Sequence, residues 1–423
     1  MKRILFIAPH AFPIKSSESI CNSKVAFALA KAGFIVDVYT CPESNLYPDD
    51  SIYDSILRSS ENLHIYSIPQ RNLFVKTQNL KYKIKSVLSH LKVLFSTGYI
   101  YNGITIPYDI LKHVESRISK ENIKYDYMIT RTYFTDLVGM KLSKKYGVKW
   151  IANWNDPYPI ARFPKPYGKG PNAPISYFEG KMLKAIQKYV SIHTFPNERL
   201  CNYMLRYIKV SKKNTRVVPH MAMDLLTLPH VQSQNGSLRM VHCGNVKKPR
   251  NPELFIRALA NVANSSNYHD FKFDCYFIGT YDKMLPKLIE QLGLNDKVFL
   301  LSGKPYYNSM EFLSTCDVSV IIEAVCEEGI YLPTKVVDSF QSGKPIFCVS
   351  PTPGHLEDLV STYRVGYFAN NQRIDLIEKQ IIRLFEDYAN NNLPIINKEL
   401  LKPFFSEGII DNYKSIFNDI DLM

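Results

Sequence analysis

A chain of 423 residues, 46% of them hydrophobic, carries enough apolar material for two cores, which excludes a single small module. Its formal charge of +13 and pI near 9.1 point to an anionic partner: a nucleotide diphosphate, an anionic lipid headgroup or nucleic acid. No run approaches the roughly 18 apolar residues needed to span a bilayer, and the eight cysteines form no CxxC pair, which argues against metal ligation and reads as buried, reduced thiols of a cytosolic protein.

The chain opens on MKRILFIAPHAFP, whose apolar run is too short for a signal sequence and is followed at once by Pro9 and Pro13. Residues 3–8 therefore read as a first buried strand, and the loop PHAFPIKSSE leads into a predicted helix over 19–32. That helix is expected to be amphipathic, with Val25, Leu29 and Ala32 on one face. A second strand is predicted at 34–39. The stretch 71–124 is longer than a plain crossover requires. From Lys76 to Lys92 it holds five lysines and no acidic residue, interleaved with Leu80, Ile84, Val87, Leu88 and Leu91. A basic amphipathic helix of this kind suits an anionic membrane surface, and 76–101 is its candidate contact segment; an inserted helix with solvated lysines is the competing reading. Further buried strands are predicted at 127–130, 149–153 and 193–196.

Residues 221–237 are polar, end in Asn235-Gly236 and have no clear period, so they read as a linker. Beyond it, strands are predicted at 239–243, 273–278, 298–301, 318–322 and 345–349. Strands that alternate with helical patterns give parallel sheets covered by helices. The fold class is thus α/β with two Rossmann-like domains: 1–220 with an insertion at about 71–124, then 238–400, with a closing helix over 401–423. No GxGxxG follows the first strand, which argues against a nicotinamide enzyme.

The densest chemistry lies in 327–354, EEGIYLPTKVVDSFQSGKPIFCVSPTPG. Pro333 stands near a helix start, where no amide donor is needed, and Gly343 stands just past its end, which predicts a helix over 334–342. A helix start offers unpaired N–H groups and partial positive charge. With Lys335 it suits the diphosphate of a bound nucleotide, and Asp338, one turn on, can accept from both ribose hydroxyls.

Pro-Thr-Lys-Val-Val-Asp-Ser-Phe-Gln-Ser-Gly-Lys-Pro resembles the donor-site signature of GT-B glycosyltransferases of the family 4 type, in which the acidic residue of this helix contacts ribose. MVHCGNVKKPRNP, residues 240–252, resembles the family's first C-terminal strand and phosphate-gripping loop. The resemblance implies that Gly244, Asn245, Arg250, Gly329, Tyr331, Leu332, Pro333, Thr334, Lys335 and Asp338 bind the donor. It departs from the pattern twice. Asn245 stands where many members carry arginine, and eight positions before Asp338 lies Ile330 rather than a glutamate, with Glu327 and Glu328 near but out of register.

The resemblance also implies two domains facing a cleft, the first holding the acceptor and the second the donor, with the last helix returning to the first domain. On the acceptor side it points to the loop of His10, Ser17 and Glu18, where serines replace the relatives' paired glycines; acceptor hydroxyls and a local turn with a helix cap are the two readings of these residues. It points as well to Asp156 in Asn153-Trp154-Asn155-Asp156-Pro157, for which a turn before proline is the competing reading. Arg131, after the strand 127–130, is a weaker candidate for an acceptor phosphate, with a plain surface role competing. Catalysis is expected from Lys335, Arg250 and Asp156, with fixed cations stabilising the leaving diphosphate and no divalent metal required. The donor is expected to be a UDP- or GDP-sugar and the acceptor a glycan or polyprenyl-linked glycan, with retention of configuration, in cytoplasmic assembly of cell-surface polysaccharide. Two other readings remain open: a GT-B sugar-nucleotide epimerase or hydrolase, and a basic binding protein using Tyr306, Tyr307 and Tyr331 as stacking platforms. No nucleic-acid-binding motif accompanies the charge.

Overall fold

The computed structural model describes residues 1–41, 51–69, 80–101, 103–131, 135–223 and 236–423. The beginning of the basic segment, 71–79, and most of the expected linker, 224–235, lie outside the described residues. The chain divides into two compact units: Met1–Arg162, Pro171–Val218 and Ile410–Met423 form the first, and Phe163–Gly170 with Pro219–Ile409 the second.

The first unit runs β1 (Arg3–Ile7), α1 (Ser17–Lys31), β2 (Ile35–Thr40), α2 (Ser51–Leu57), β3 (Leu63–Ser67), α3 (Leu80–Thr97), α4 (Thr105–Glu121) and β4 (Tyr127–Arg131). It continues with α5 (Asp136–Tyr146), β5 (Lys149–Asn153), α6 (Tyr177–Tyr189), β6 (Ile192–Phe195), α7 (Glu198–Leu205) and β7 (Thr215–Val217). The strands form one seven-stranded sheet in the order β3-β2-β1-β4-β5-β6-β7, and its pairings are parallel. Parallel strands covered on both faces need near-continuous apolar runs, and ILFI, MIT and WIA supply them.

The second unit runs β8 (Leu238–Cys243), α8 (Glu253–Ala263), β9 (Phe273–Ile278), α9 (Met284–Gln291), β10 (Val298–Leu301), α10 (Tyr306–Ser314) and β11 (Val318–Ile322). After β11 come α11 (Thr334–Gln341), β12 (Ile346–Ser350), α12 (His355–Tyr363), β13 (Gly366–Asn370) and α13 (Ile374–Ala389). Its six-stranded sheet has the order β10-β9-β8-β11-β12-β13 with parallel pairings. Both sheets therefore reverse strand order beside their first strand, between β1 and β4 and between β8 and β11. In open parallel sheets such a switch point leaves a crevice beyond the strand C-termini, where ligands gather.

The last helix, α14 (Ser406–Asp421), belongs to the first unit from Ile410 onward. Phe417 stacks on Tyr127 with ring centroids 4.2 Å apart and meets Phe34 edge-on at 5.2 Å. The expected return of the C-terminal helix is thus an aromatic contact with β4.

Three expectations change. The helix after β1 begins at Ser17, capped by Ser16 in a reciprocal arrangement with Ser19, and it is not amphipathic: Ser19 through Ala30 are all buried, Lys24 included. The segment Phe163–Gly170, assigned by sequence to the first domain, is part of the second unit, where Tyr167 meets Tyr331 edge-on at 5.5 Å. The closing segment is also shared, since residues up to Ile409 stay with the second unit. No helix among the described residues is long and apolar enough to cross a membrane.

Candidate active site

At the switch point of the second sheet, β8 ends in Cys243 and turns through Gly244, whose φ of +120° disfavours any side chain. A Cβ there would lie 3.4 Å from Lys335 Nζ. Gly279, at the end of β9, closes in from behind: a Cβ on it would meet the Gly244 carbonyl oxygen at 2.3 Å. The neighbouring strand β11 delivers Glu323 at its C-terminal end, 5% exposed. Helix α11 follows Pro333, which occupies the N-cap and offers no side-chain cap to the amides of the first turn.

Two cations meet here. The Arg250 guanidinium, in the loop between β8 and α8, pairs with Glu323 at 3.3 Å. Lys335 Nζ lies 3.2 Å from His242 Nε2, and His242 Nδ1 lies 2.9 Å from the Val320 carbonyl oxygen. Since a carbonyl can only accept, His242 Nδ1 carries the proton and Nε2 accepts from the Lys335 ammonium. Burial, reinforced by Lys335 and Arg250, pushes the His242 pKa well below its ordinary value, so the ring is a neutral acceptor. Burial also lowers Lys335 to about 8, Arg250 acting in the same direction and Glu323 against it. Asp338, on the next turn of α11, accepts from the Tyr306 hydroxyl at 2.5 Å and adds to the negative field on Lys335.

The fold thus gathers Gly244, Arg250, Lys335 and Asp338 around one strand switch. It also brings in two residues that the sequence did not single out, Glu323 and His242. Both sit at the ends of apolar strand runs and passed for strand continuation; the signal was a charged or imidazole side chain at a buried strand's C-terminal end.

Other expected donor contacts have different places. Gly329, expected among the donor contacts, has its backbone committed elsewhere: its N–H donates to the Pro353 oxygen at 2.9 Å and its carbonyl accepts from the His355 N–H at 2.7 Å. It is a glycine because α12 begins against it: a Cβ would come within 3.1 Å of Gly354 Cα. Leu332 is buried in the cluster of Val336, Phe340 and Leu356, which makes it a packing residue. Asn245 is exposed, and its Oδ1 accepts from the Thr280 hydroxyl at 2.5 Å, so the place of the relatives' arginine is held by a neutral pair. Tyr331 and Thr334 are half-buried. As stacking platforms Tyr306 and Tyr331 are already committed, the first to Asp338 and the second to Tyr167. Ile330 is fully buried and Glu327 exposed.

In the first unit, the loop after β1 is held against β2 by Thr40, whose Oγ1 accepts from the amides of Ala11 and Phe12 at 3.2 and 3.3 Å. His10, at that unit's own switch point, receives a 2.6 Å hydrogen bond on its carbonyl from Asn22 Nδ2. Asn22 Oδ1 in turn accepts from Arg131 Nε at 2.6 Å. Arg131 is 3% exposed, so neither a surface role nor an open phosphate contact fits it; it is the last residue of β4 and ties that strand to α1. Ser17 is exposed and Glu18 half-buried in the first turn of α1. Asp156 is exposed just beyond β5. The chain before it is pinned by the Trp154 indole N–H, which donates to His193 Nδ1 at 3.1 Å, burial holding that imidazole neutral with its pKa lowered to about 3.

Residues 230–399 match the family described as glycosyl transferases group 1. The chain is a glycosyltransferase of the GT-B fold. Solved structures similar to it include sucrose-phosphate synthase from Thermosynechococcus elongatus, with a TM-score of 0.66 at 13% identity, covering 100% of both chains. Anabaena HepE in complex with UDP and glucose gives 0.65 at 11% identity, again over 100% of both chains. A variant of S. aureus TarM in complex with fondaparinux, alpha-GlcNAc-glycerol and UDP gives 0.63 at 11% identity, over 99% of this chain and 100% of that one. At such identities the likeness is one of fold. No curated protein sequence matches the chain. In this glycosyltransferase the family match covers β8 to α13 and so includes Gly244, Arg250, Glu323, Lys335 and Asp338.

Proposed function

We propose that the enzyme moves a sugar from a UDP- or GDP-sugar to a glycan or polyprenyl-linked glycan, with retention and without a divalent metal, in cell-surface polysaccharide assembly on the cytoplasmic side. The observation that carries this reading is the pair of cations at the β8–β11 switch: Lys335, in the first turn of α11 and beside Gly244, and Arg250, near enough to oppose its charge. Breaking the anomeric bond leaves negative charge on the diphosphate. Prealigned cations stabilise that charge by a few kcal/mol per donor without reorganising water, the service a bound metal would otherwise supply. In this reading Gly244 lets backbone come close to phosphate, Lys335 and Arg250 neutralise it, and Asp338 accepts from the ribose hydroxyls.

Retention puts the acceptor hydroxyl on the leaving-group face, where a phosphate oxygen takes its proton. Asp156, with His10, Ser17 and Glu18, is the proposed acceptor side; in an inverting enzyme Asp156 or Glu18 would be the base. HepE and TarM, both described with UDP, support a uridine nucleotide in the donor, and TarM, described also with fondaparinux and alpha-GlcNAc-glycerol, supports a glycan acceptor. A thermal-shift panel of UDP, GDP, ADP and their sugars tests the reading. One nucleotide family should raise Tm in the wild type, without added metal, and fail to do so in Lys335→Ala and Arg250→Ala; no shift with any of them would overturn it. Turnover of the selected sugar nucleotide with no acceptor present would favour the epimerase or hydrolase instead.

A further inference from the structure

Helix α3 wears its amphipathic pattern inside out. A helix on a water-soluble domain turns its apolar stripe inward and its polar face to solvent. In α3 the residues facing the protein are Val93 and Thr97, 1% and 6% exposed, with the half-buried Ser86, Ser89 and His90 on the same side. The large apolar residues point away: Leu80 is 70% exposed, Ile84 51%, Val87 58%, Leu88 59%, Leu91 40% and Phe95 84%. At about 100° per residue these six fall within an arc of roughly 100°, an unbroken outward stripe. Lys81, Lys85 and Lys92 border the stripe on one side and Lys83 on the other, and the helix holds no Asp or Glu. Its C-terminal end is fixed: the Gly98 carbonyl accepts from Lys181 Nζ at 2.8 Å, and the Tyr99 hydroxyl reaches Met140 Sδ at 3.4 Å. The helix is therefore anchored at its C-terminal end, with its apolar side turned outward.

We infer that α3 is a membrane-docking helix that lies in the interface of an anionic bilayer, with Leu80, Ile84, Leu88, Leu91 and Phe95 among the acyl chains and its lysines among anionic headgroups. Charge decides the occupant. A second copy of the same helix would bring four more lysines and no carboxylate to the contact, whereas an anionic lipid surface neutralises every one of them. The segment also fits the geometry of an interfacial helix, which buries one apolar face only a few ångströms deep and leaves basic residues at headgroup height. Each lysine near such a surface strengthens binding up to about fivefold. This inference stands apart from the sugar-transfer reading, since no residue of the β8–β11 switch enters it.

Sedimentation of the full chain with vesicles of phosphatidylcholine, alone or mixed with phosphatidylglycerol, tests it. The wild type should pellet with the mixed vesicles, much less with the neutral ones, and less as salt rises. The triple variant Ile84→Ser, Leu88→Ser, Phe95→Ser should lose binding at every salt concentration. Lys83→Gln with Lys85→Gln and Lys92→Gln should lose up to about a hundredfold at low salt and flatten the salt dependence. Because the substituted side chains are exposed, both variants should keep the wild-type Tm. Wild type that ignores anionic vesicles, binding that survives both triple variants, or self-association that the serine variant abolishes would each overturn the inference.

Discussion

Lys335 gives up its proton at about pH 8 in the unliganded fold because burial and Arg250 both oppose its charge while Glu323 and Asp338 favour it. Between there and the ordinary lysine range the unfolded chain holds the proton that the folded chain has lost, so this residue's contribution to stability rises with pH across that window and is unfavourable below it. Binding runs the other way. An anion beside Lys335 raises its pKa, so a diphosphate binds best while the lysine is charged and must draw a proton from solvent once it is not. Nucleotide affinity followed by calorimetry should therefore fall by up to about tenfold per pH unit above pH 8 in the wild type. It should be weaker and pH-independent in Lys335→Gln. Glu323→Gln removes a carboxylate that supports the charge, so the fall should begin at lower pH. A flat wild-type profile would mean that Lys335 does not face the diphosphate.

At the scale of elements, burial settles what was readable. Strands such as Lys149–Asn153 and Phe273–Ile278 were visible because parallel strands covered on both faces must be apolar along their length. β3, β7 and β13 went unread for the opposite reason: LHIYS, TRV and GYFAN are short and mix polar with apolar side chains. In α1 a one-sided stripe was expected from Val25 and Leu29, yet Ser23 is satisfied inside the helix by the Ser19 carbonyl at 2.6 Å, so a polar residue could be buried on the other face. In α14 the aromatic contacts and the ion pairs can be ranked by burial. Phe417, 3% exposed and packed on Tyr127, Phe34 and Tyr413, should cost about 3–5 kcal/mol when cut to alanine, a fall that urea unfolding will report. Asp421, which pairs with Lys2 where both side chains are nearly half exposed, should cost about 0–1 kcal/mol as Asp421→Asn. Equal losses would mean that α14 is held by charge rather than by its aromatic face.

Over the whole molecule, the alternation of strand and helix carried the fold class because right-handed crossovers leave few ways to order parallel strands. It could not reveal that the chain leaves one unit for Phe163–Gly170 or that its end divides at Ile409, since such exchanges depend on contacts like Tyr167 with Tyr331 between residues far apart in sequence. The candidate site was legible where backbone chemistry forces residue type, at Gly244 and Pro333, and at Lys335, a lysine in the first turn of a helix. It was silent at Glu323 and His242, whose roles exist only once β8 and β11 lie side by side. That adjacency makes the site a property of the second unit as a body. A nucleotide that binds only the folded state stabilises it by RT ln(1 + [L]/Kd), about 2.7 kcal/mol at roughly a hundredfold excess over Kd. Amide exchange with and without the selected nucleoside diphosphate should therefore slow most in 243–252 and 329–338, and next in β8 and β11, with β1 to β7 changing least. Protection centred on the loop of His10 or on Asp156 instead would move the diphosphate site to the first unit and remove Lys335 and Arg250 from the chemistry.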